Sequence, residues 1–218
     1  LQYFIWASDE TGRLLLQEVL KAADRGVRVR LLLDDLHAGE ADNLLQAVDS
    51  HPDIEVRLFN PFAGHRGGAF SKLLGSLSDF KRVRHRMHNK LLVADNVFAL
   101  TGGRNVGDLY LTRRQGRFLD VDLLASGPIV RDLSDAFDDY WNSDQAYEGA
   151  RLWPSDGADV LIARLNALRE ERLQVLPPEQ GTPRSPNEIV GSKLATAPQC
   201  TGRAFTDPVE KAVGTSLD

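Results

Sequence analysis

From Tyr3 to Phe59 the sequence switches repeatedly between two hydrophobic periods, and this switching restricts the fold more than any other feature. Tyr3 to Trp6 reads as a strand. Thr11 is placed as an N-cap, after which Leu15, Leu16, Val19, Leu20 and Ala23 recur at helical spacing until Gly26. Val27 to Leu33 reads as a second strand, with Asp34-Asp35 at its C-terminal end. Asp42 to Val48 reads as a helix, and Ile54 to Phe59 as a third strand closed by Asn60-Pro61-Phe62. Strands alternating with helices predict an α/β fold: an α-β-α sandwich whose mixed, mostly parallel sheet carries helices on both faces.

A second pattern interrupts that alternation. Lys90 to Ala94 is apolar and β-prone, Asp95-Asn96 is a turn pair, and Val97 to Thr101 is β-prone again. Residues two apart on a strand share a face, so His88 and Lys90 are expected to point the same way. Gly102-Gly103 lets backbone approach a small group closely, and Asn105 adds an amide. An imidazole, an ammonium, close backbone and an amide together suit a phosphoryl group. Lys81, Arg82, Arg84, Arg86 and Lys90 form the one concentrated basic run, read as an electropositive mouth for an anionic phosphate.

Between Phe59 and this run, Gly64 to Gly75 is glycine-rich, with a helical piece expected from Phe70 to Phe80. Beyond the hairpin, Val106 to Arg117 reads as a polar loop whose Tyr110 and Leu111 are placed to cover the site. Phe118 to Ala125 reads as a strand with Asp120 and Asp122 on one face. Gly127-Pro128 opens a helix whose apolar stripe is Ile129, Val130, Leu133, Phe137, Tyr140 and Trp141. A further helix is expected from Ala158 to Leu173. Past Leu176 lie six of the ten prolines, and that tail is expected to be poorly ordered.

Composition narrows the function classes. A net charge of −5 gives no basic field of the kind a dedicated nucleic-acid binder carries. One cysteine, Cys200, excludes an internal disulfide framework and a cysteine-based zinc cluster. No apolar run reaches the length of about 18 residues that spans a membrane, and no signal peptide is visible. The chain opens at Leu1 inside what reads as a core strand. It is therefore expected to be a fragment, with any anchor or export signal in a preceding segment.

The spacing His88-x-Lys90-x4-Asp95-x6-Gly102-Gly103-x-Asn105 resembles the signature of the phospholipase D superfamily. The words Arg86-Met87-His88-Asn89-Lys90 and Gly102-Gly103-Arg104-Asn105-Val106-Gly107-Asp108 are similar to those of bacterial cardiolipin synthases, and the resemblance runs from residue 1 to about 148. It implies that His88 attacks phosphorus and forms a phosphohistidine. It implies that Lys90 and Asn105 bind nonbridging oxygens, that Gly102 and Gly103 admit the phosphate, and that Asp95 completes the motif with a mainly structural part in the turn. Thr101 adds a possible hydroxyl contact. A nucleophilic imidazole needs its second nitrogen held, for which Asp120 is the first candidate and Asp122 the reserve.

The resembled family uses two copies of the motif, one histidine as nucleophile and one as general acid. Of the five histidines here, His37, His51, His65, His85 and His88, only His88 is followed by lysine at the second position. The leaving-group acid is thus expected from a missing second half or from a twofold-related copy of the chain. Thr206-Asp207-Pro208-Val209-Glu210-Lys211 resembles the linker before such a second half. The expected organisation is a catalytic half-domain over 1–148, a helical extension over 149–176 and a flexible linker over 177–218. The implied activity is phosphatidyl transfer or phospholipid cleavage on an anionic, phosphatidylglycerol-like lipid, with neither metal nor cofactor. The implied setting is a bacterial membrane surface, with the fragment itself soluble and nucleic acid not a partner. The alternatives are a superfamily endonuclease or phosphodiesterase, and an inactive fragment lacking the second motif.

Overall fold

The computed structural model of the chain describes residues 1–39, 41–62, 86–111, 120–173, 191–192, 196–198, 201–209 and 212. The expectations for Gly64 to Gly75, for Phe70 to Phe80, for Lys81, Arg82 and Arg84, for the start of a strand at Phe118 and for most of the tail lie outside these residues.

The described elements run β1 (Gln2–Tyr3), α1 (Glu10–Asp24), β2 (Val29–Asp34), α2 (Asp35–Ala38), α3 (Asp42–Asp49), β3 (Ile54–Phe59), β4 (Leu91–Ala94), β5 (Phe98–Gly102), α4 (Asp108–Leu111), β6 (Asp122–Ser126), α5 (Ile129–Trp141), β7 (Ala146–Glu148) and α6 (Ala158–Glu170). The strands form one mixed sheet in the order β6-β5-β4-β1-β2-β3-β7. Helices cover both of its faces, as the alternation predicts. The balance of pairing differs from expectation: only β1-β2 and β2-β3 are parallel, and the other four pairings are antiparallel. Connection length accounts for the β1-β2, β2-β3 and β4-β5 pairs, which are consecutive strands. A parallel neighbour needs a crossover of a dozen or more residues, which α1 and α3 supply; the short link between β4 and β5 permits only a hairpin.

Strand β2 shows why the sheet is buried. Leu31, Leu32 and Leu33 are all at most 1% exposed. Leu31 and Leu33 enter one core with Leu16 and Leu20 of α1, Leu45 and Val48 of α3, and Leu165 and Leu168 of α6. Leu32 points the opposite way, into a second core with Met87, Leu91, Ala99 and the α5 residues Val130, Leu133, Phe137, Tyr140 and Trp141. Arg30 and Arg57 stack on Trp141 from β2 and β3, with guanidinium carbons 5.4 and 4.4 Å from the ring. Ala204, Val209 and Ala212 pack against the same core, and the Tyr140 hydroxyl donates to the Asp207 carbonyl at 2.9 Å.

Several boundaries move. Helix α1 is capped by Asp9, whose Oδ1 accepts from Gly12 N at 3.0 Å, and not by Thr11. Thr11 lies inside the helix and donates both its backbone N–H and its hydroxyl to Asp108 Oδ1, at 2.9 and 2.7 Å. Asp9 in turn accepts from Asp108 N at 2.6 Å. The two aspartates therefore cross-cap α1 and α4. Strand β1 ends at Tyr3, with Trp6 continuing only as an isolated bridge to Val106. Helix α6 stops at Glu170, and Gln17 of α1 donates to the carbonyls of Leu168 and Glu171 at its end.

The cross-cap makes a stability prediction. Asp9→Ala removes the acceptor for two backbone N–H groups and should cost about 1–2 kcal/mol, read as a lower midpoint in urea unfolding. An unchanged midpoint would show that the cap carries no weight.

Candidate active site

The site forms where the C-terminal ends of β1 and β2 meet the segment entering β4. Asp34 closes β2 and is fully buried at its side chain. Its carboxylate accepts from Leu36 N at 2.9 Å, capping α2, and from Met87 N at 3.0 Å. Arg86 Nη1 adds a contact at 3.3 Å. Burial nevertheless outweighs the guanidinium and both N–H groups, and pushes the Asp34 carboxyl up to about 6. Arg86 also donates to the Asn60 carbonyl at 2.9 Å and lies 4.2 Å from the Phe62 ring centroid. The expected part of Arg86 in an electropositive mouth is therefore corrected: its charge is turned inward as a clamp on Asp34. Gln2 Nε2 donates to Met87 Sδ at 3.0 Å and completes the anchorage.

Just beyond this anchor His88 emerges at the surface, while Lys90 is buried. Met87 is fully buried, and His88 next to it is exposed. His88 and Lys90 sit just before β4 and not in it, and both reach the ring of Phe4. The His88 and Phe4 centroids are 4.9 Å apart, and Lys90 Nζ stands 5.3 Å from the Phe4 centroid. Lys90 Nζ also donates to the His88 carbonyl at 2.5 Å. Burial first, and the Lys90 charge second, hold the His88 imidazole below its ordinary value. Burial lowers Lys90 to about 8, against the opposing pull of Asp120. His37 of α2 stands edge-on to Phe4 from a further direction, at 5.3 Å.

The glycine corner is shaped by carboxylates. A Cβ on Gly103 would stand 1.9 Å from Asp120 Oδ1, and one on Gly102 would stand 2.1 Å from Asp122 Oδ1. Absence of side chains at 102 and 103 lets these acids lie against the corner. Arg104 ties the arrangement together, pairing with Asp122 at 2.7 Å and donating to the Asp120 carbonyl at 2.9 Å. The expected hydrogen bond from Asp120 to the imidazole is not made: Asp120 Oδ1 accepts from Val121 N at 3.1 Å, and its charge acts on Lys90. Among the described residues no carboxylate bonds the His88 ring. Asp122, the reserve, is engaged with Arg104.

Asn105 is buried, and its Oδ1 accepts from Ile5 N at 3.0 Å. This fixes the amide and leaves Nδ2 as the group available to a ligand. Thr101 donates its hydroxyl to the Lys90 carbonyl at 2.9 Å. Asp95 is not brought to the site. It lies five residues along the hairpin from Lys90, about 16 Å of extended chain, and is exposed at the turn. The connection holds three residues, Asp95 to Val97, with positive φ at Asp95 (52°) and Asn96 (55°). The side-chain bond that ties this turn to α5 comes from Ser134 to Asn96, in place of the expected bond from Asp95.

Sequence reasoning missed Phe4, His37 and Asp34 as site residues. For Asp34 a signal was present, since an acid ending a largely apolar strand sits at the end of the sheet where sites form. Phe4 and His37 carried none, because nothing local distinguishes a site-wall aromatic from a core one.

The profile of the family described as "Cardiolipin synthase, PLD-like domain" matches residues 1–141. Cardiolipin synthase C of Escherichia coli K12 is 49% identical over 142 residues, which is 65% of this chain and 29% of that protein. Cardiolipin synthase 2 of Staphylococcus epidermidis is 33% identical over 145 residues, 66% of this chain and 27% of that protein. An uncharacterized protein of Helicobacter pylori J99 is 36% identical over 142 residues, 65% of this chain and 28% of its own length. The chain thus spans less than a third of the length of these curated relatives.

Two outcomes follow from the geometry. Asp34→Ala removes the buried acceptor shared by Leu36 N, Met87 N and Arg86 and should cost about 3–5 kcal/mol in chemical unfolding. Asp120→Asn removes the charge that favours the ammonium, so Lys90 should titrate lower still than about 8; NMR of the lysine side chain reads this directly, and a Lys90 value that stays put or rises would refute the coupling.

Proposed function

This chain belongs to the cardiolipin synthase, phospholipase D-like domain family, and from that membership we propose that it carries the nucleophilic half of a phosphatidyl-transfer site. The carrying observation is the pairing of an exposed imidazole with a buried ammonium on one aromatic ring. In this reading an imidazole nitrogen of His88 attacks the phosphorus of an anionic, phosphatidylglycerol-like lipid. The N–P bond forms as the bond to the leaving glycerol oxygen breaks, and that oxygen takes a proton from a general acid. Lys90 and Asn105 Nδ2 bind the nonbridging oxygens. An alcohol or water then displaces His88, giving transfer or hydrolysis.

The electrostatics support this division of labour. An imidazole held below its ordinary value is neutral at pH 7, with a lone pair ready for attack. The same property leaves it with no proton to give at pH 7, so the acid comes from a second motif-bearing segment or a second copy of the chain. No helix among the described residues is long and apolar enough to cross a membrane. Contact with lipid is read as peripheral through this part of the chain, at a bacterial membrane surface.

The test is turnover of phosphatidylglycerol vesicles with EDTA present, beside plasmid DNA under the same conditions. With the chain paired with a second copy or a second motif-bearing segment, lipid turnover with covalent phosphate trapped on the wild type and lost in His88→Ala is the expected result; cleavage of DNA alone points to a nuclease. The pH profile should be bell-shaped. Activity rises as His88 loses its proton, below the ordinary histidine value, and falls as Lys90 loses its own near 8. A rate that keeps climbing well past pH 9 would exclude a charged Lys90 from the step.

A further inference from the structure

Phe4 is the residue on which the site converges. His88 touches its ring at 4.9 Å with the planes tilted by 50°, Lys90 Nζ stands 5.3 Å from its centroid, and His37 meets it edge-on at 5.3 Å. We propose that Phe4 is a positioning residue for the reacting pair: its ring is the wall that sets the orientation of the His88 imidazole and keeps the Lys90 ammonium on the same side. The proposal rests on the reading of His88 as nucleophile.

The need for such a wall follows from what His88 lacks. It is exposed, and among the described residues no carboxylate holds its ring. An exposed side chain hops between rotamers on the picosecond to nanosecond scale unless something limits it. An aromatic ring at van der Waals range limits it, and offset or tilted ring pairs have a preferred geometry. The same ring offers its face to a cation, which restrains the long Lys90 side chain together with its bond to the His88 carbonyl. The two groups that must act together thus share one support.

Phe4 is itself rigidly mounted. On one side Tyr3 pairs with Leu33 across β1 and β2. On the other, Ile5 N donates to Asn105 Oδ1 and the Ile5 carbonyl accepts from Val106 N at 3.1 Å. The backbone is therefore pinned before and after the ring, and one of the pins is a motif residue. Tethering Asn105 to Ile5 links the oxygen-binding amide, the wall and the nucleophile in a single chain of contacts.

Among the described residues, three titratable groups bear on His88 from different elements. Lys90 comes from its own segment, His37 from α2 across Phe4, and Asp120 acts through Lys90 from the residues before β6. Asp34 and Arg86 lie beneath and face each other. The ring desolvates the imidazole on one flank while Lys90 repels a proton on another, and both effects lower His88.

The experiment is an NMR titration of His88 in the whole chain, in wild type, Phe4→Ala, Phe4→Leu and Phe4→Tyr. With the ring removed, Phe4→Ala should move the His88 titration upward toward its ordinary 6.5. Phe4→Leu should move it the same way by less, and Phe4→Tyr should leave it in place. An unchanged His88 titration in folded Phe4→Ala overturns the proposal. Should that variant fail to fold, an unchanged titration in Phe4→Leu does so. On phosphatidylglycerol vesicles, Phe4→Ala should lower kcat on the order of tenfold with little change in KM, restored by Phe4→Tyr. A wild-type chain that titrates as described but turns over no phospholipid, either as a demonstrated dimer or with a second motif-bearing segment supplied, refutes the proposed function and leaves the positioning role standing.

Discussion

The carboxylate of Asp34 joins two pieces of chain more than fifty residues apart: the end of β2 and the segment that enters β4. Its bond to Met87 N fixes a backbone position whose side chain is fully buried. Once Met87 points into the core, the alternation of an extended chain sends His88 the opposite way, to the surface. The exposure of the candidate nucleophile is thus decided one residue earlier, by a buried acid. Burial holds that acid up at about 6, so the join is held by geometry and mutual need more than by favourable charge.

Much of this was legible in the chain. The apolar runs of β2 and β3, the hairpin and the stripe of α5 are local patterns, and each appears close to where the periodicity places it. The convergence of His88 and Lys90 on one ring follows the two-residue spacing even though both precede the strand. What was not legible depends on partners distant in sequence. Thr11 looks like a cap until Asp108, nearly a hundred residues on, claims its hydroxyl. Arg86 looks like part of a basic run until Asp34 and Phe62 turn it inward. The antiparallel seating of β4 on β1 pairs Gln2 with Leu91, and no window of sequence records a partner that distant.

Gly102 and Gly103 show how a motif position acts at one remove. Read as words, they suggest backbone open to a phosphate. In the folded chain the space above them holds Asp120 and Asp122. Asp120 lies close enough to Lys90 for its charge to resist the loss of the lysine's proton. A side chain at 103 would displace Asp120 and leave desolvation unopposed. The glycine is then a condition for a charged Lys90, through the acid it admits, as well as for close backbone.

The two lowered groups at the mouth constrain what the site can do alone. Desolvation that lowers Lys90 also lowers His88, and the Lys90 charge lowers His88 further. A site of this kind settles near neutral pH into neutral imidazole and charged ammonium, the pair suited to attack on an anionic phosphorus. Two cations are disfavoured there, so in the proposed reading the proton for a departing alkoxide comes from elsewhere. Protonating the leaving group requires a second ionisable group in a different field, one that keeps its proton where His88 sheds it. Physical chemistry therefore asks for asymmetry between the two halves of such a centre. Even two copies of one sequence would have to divide the roles through the substrate, whose phosphate charge, once bound beside one imidazole, raises the proton affinity of the other.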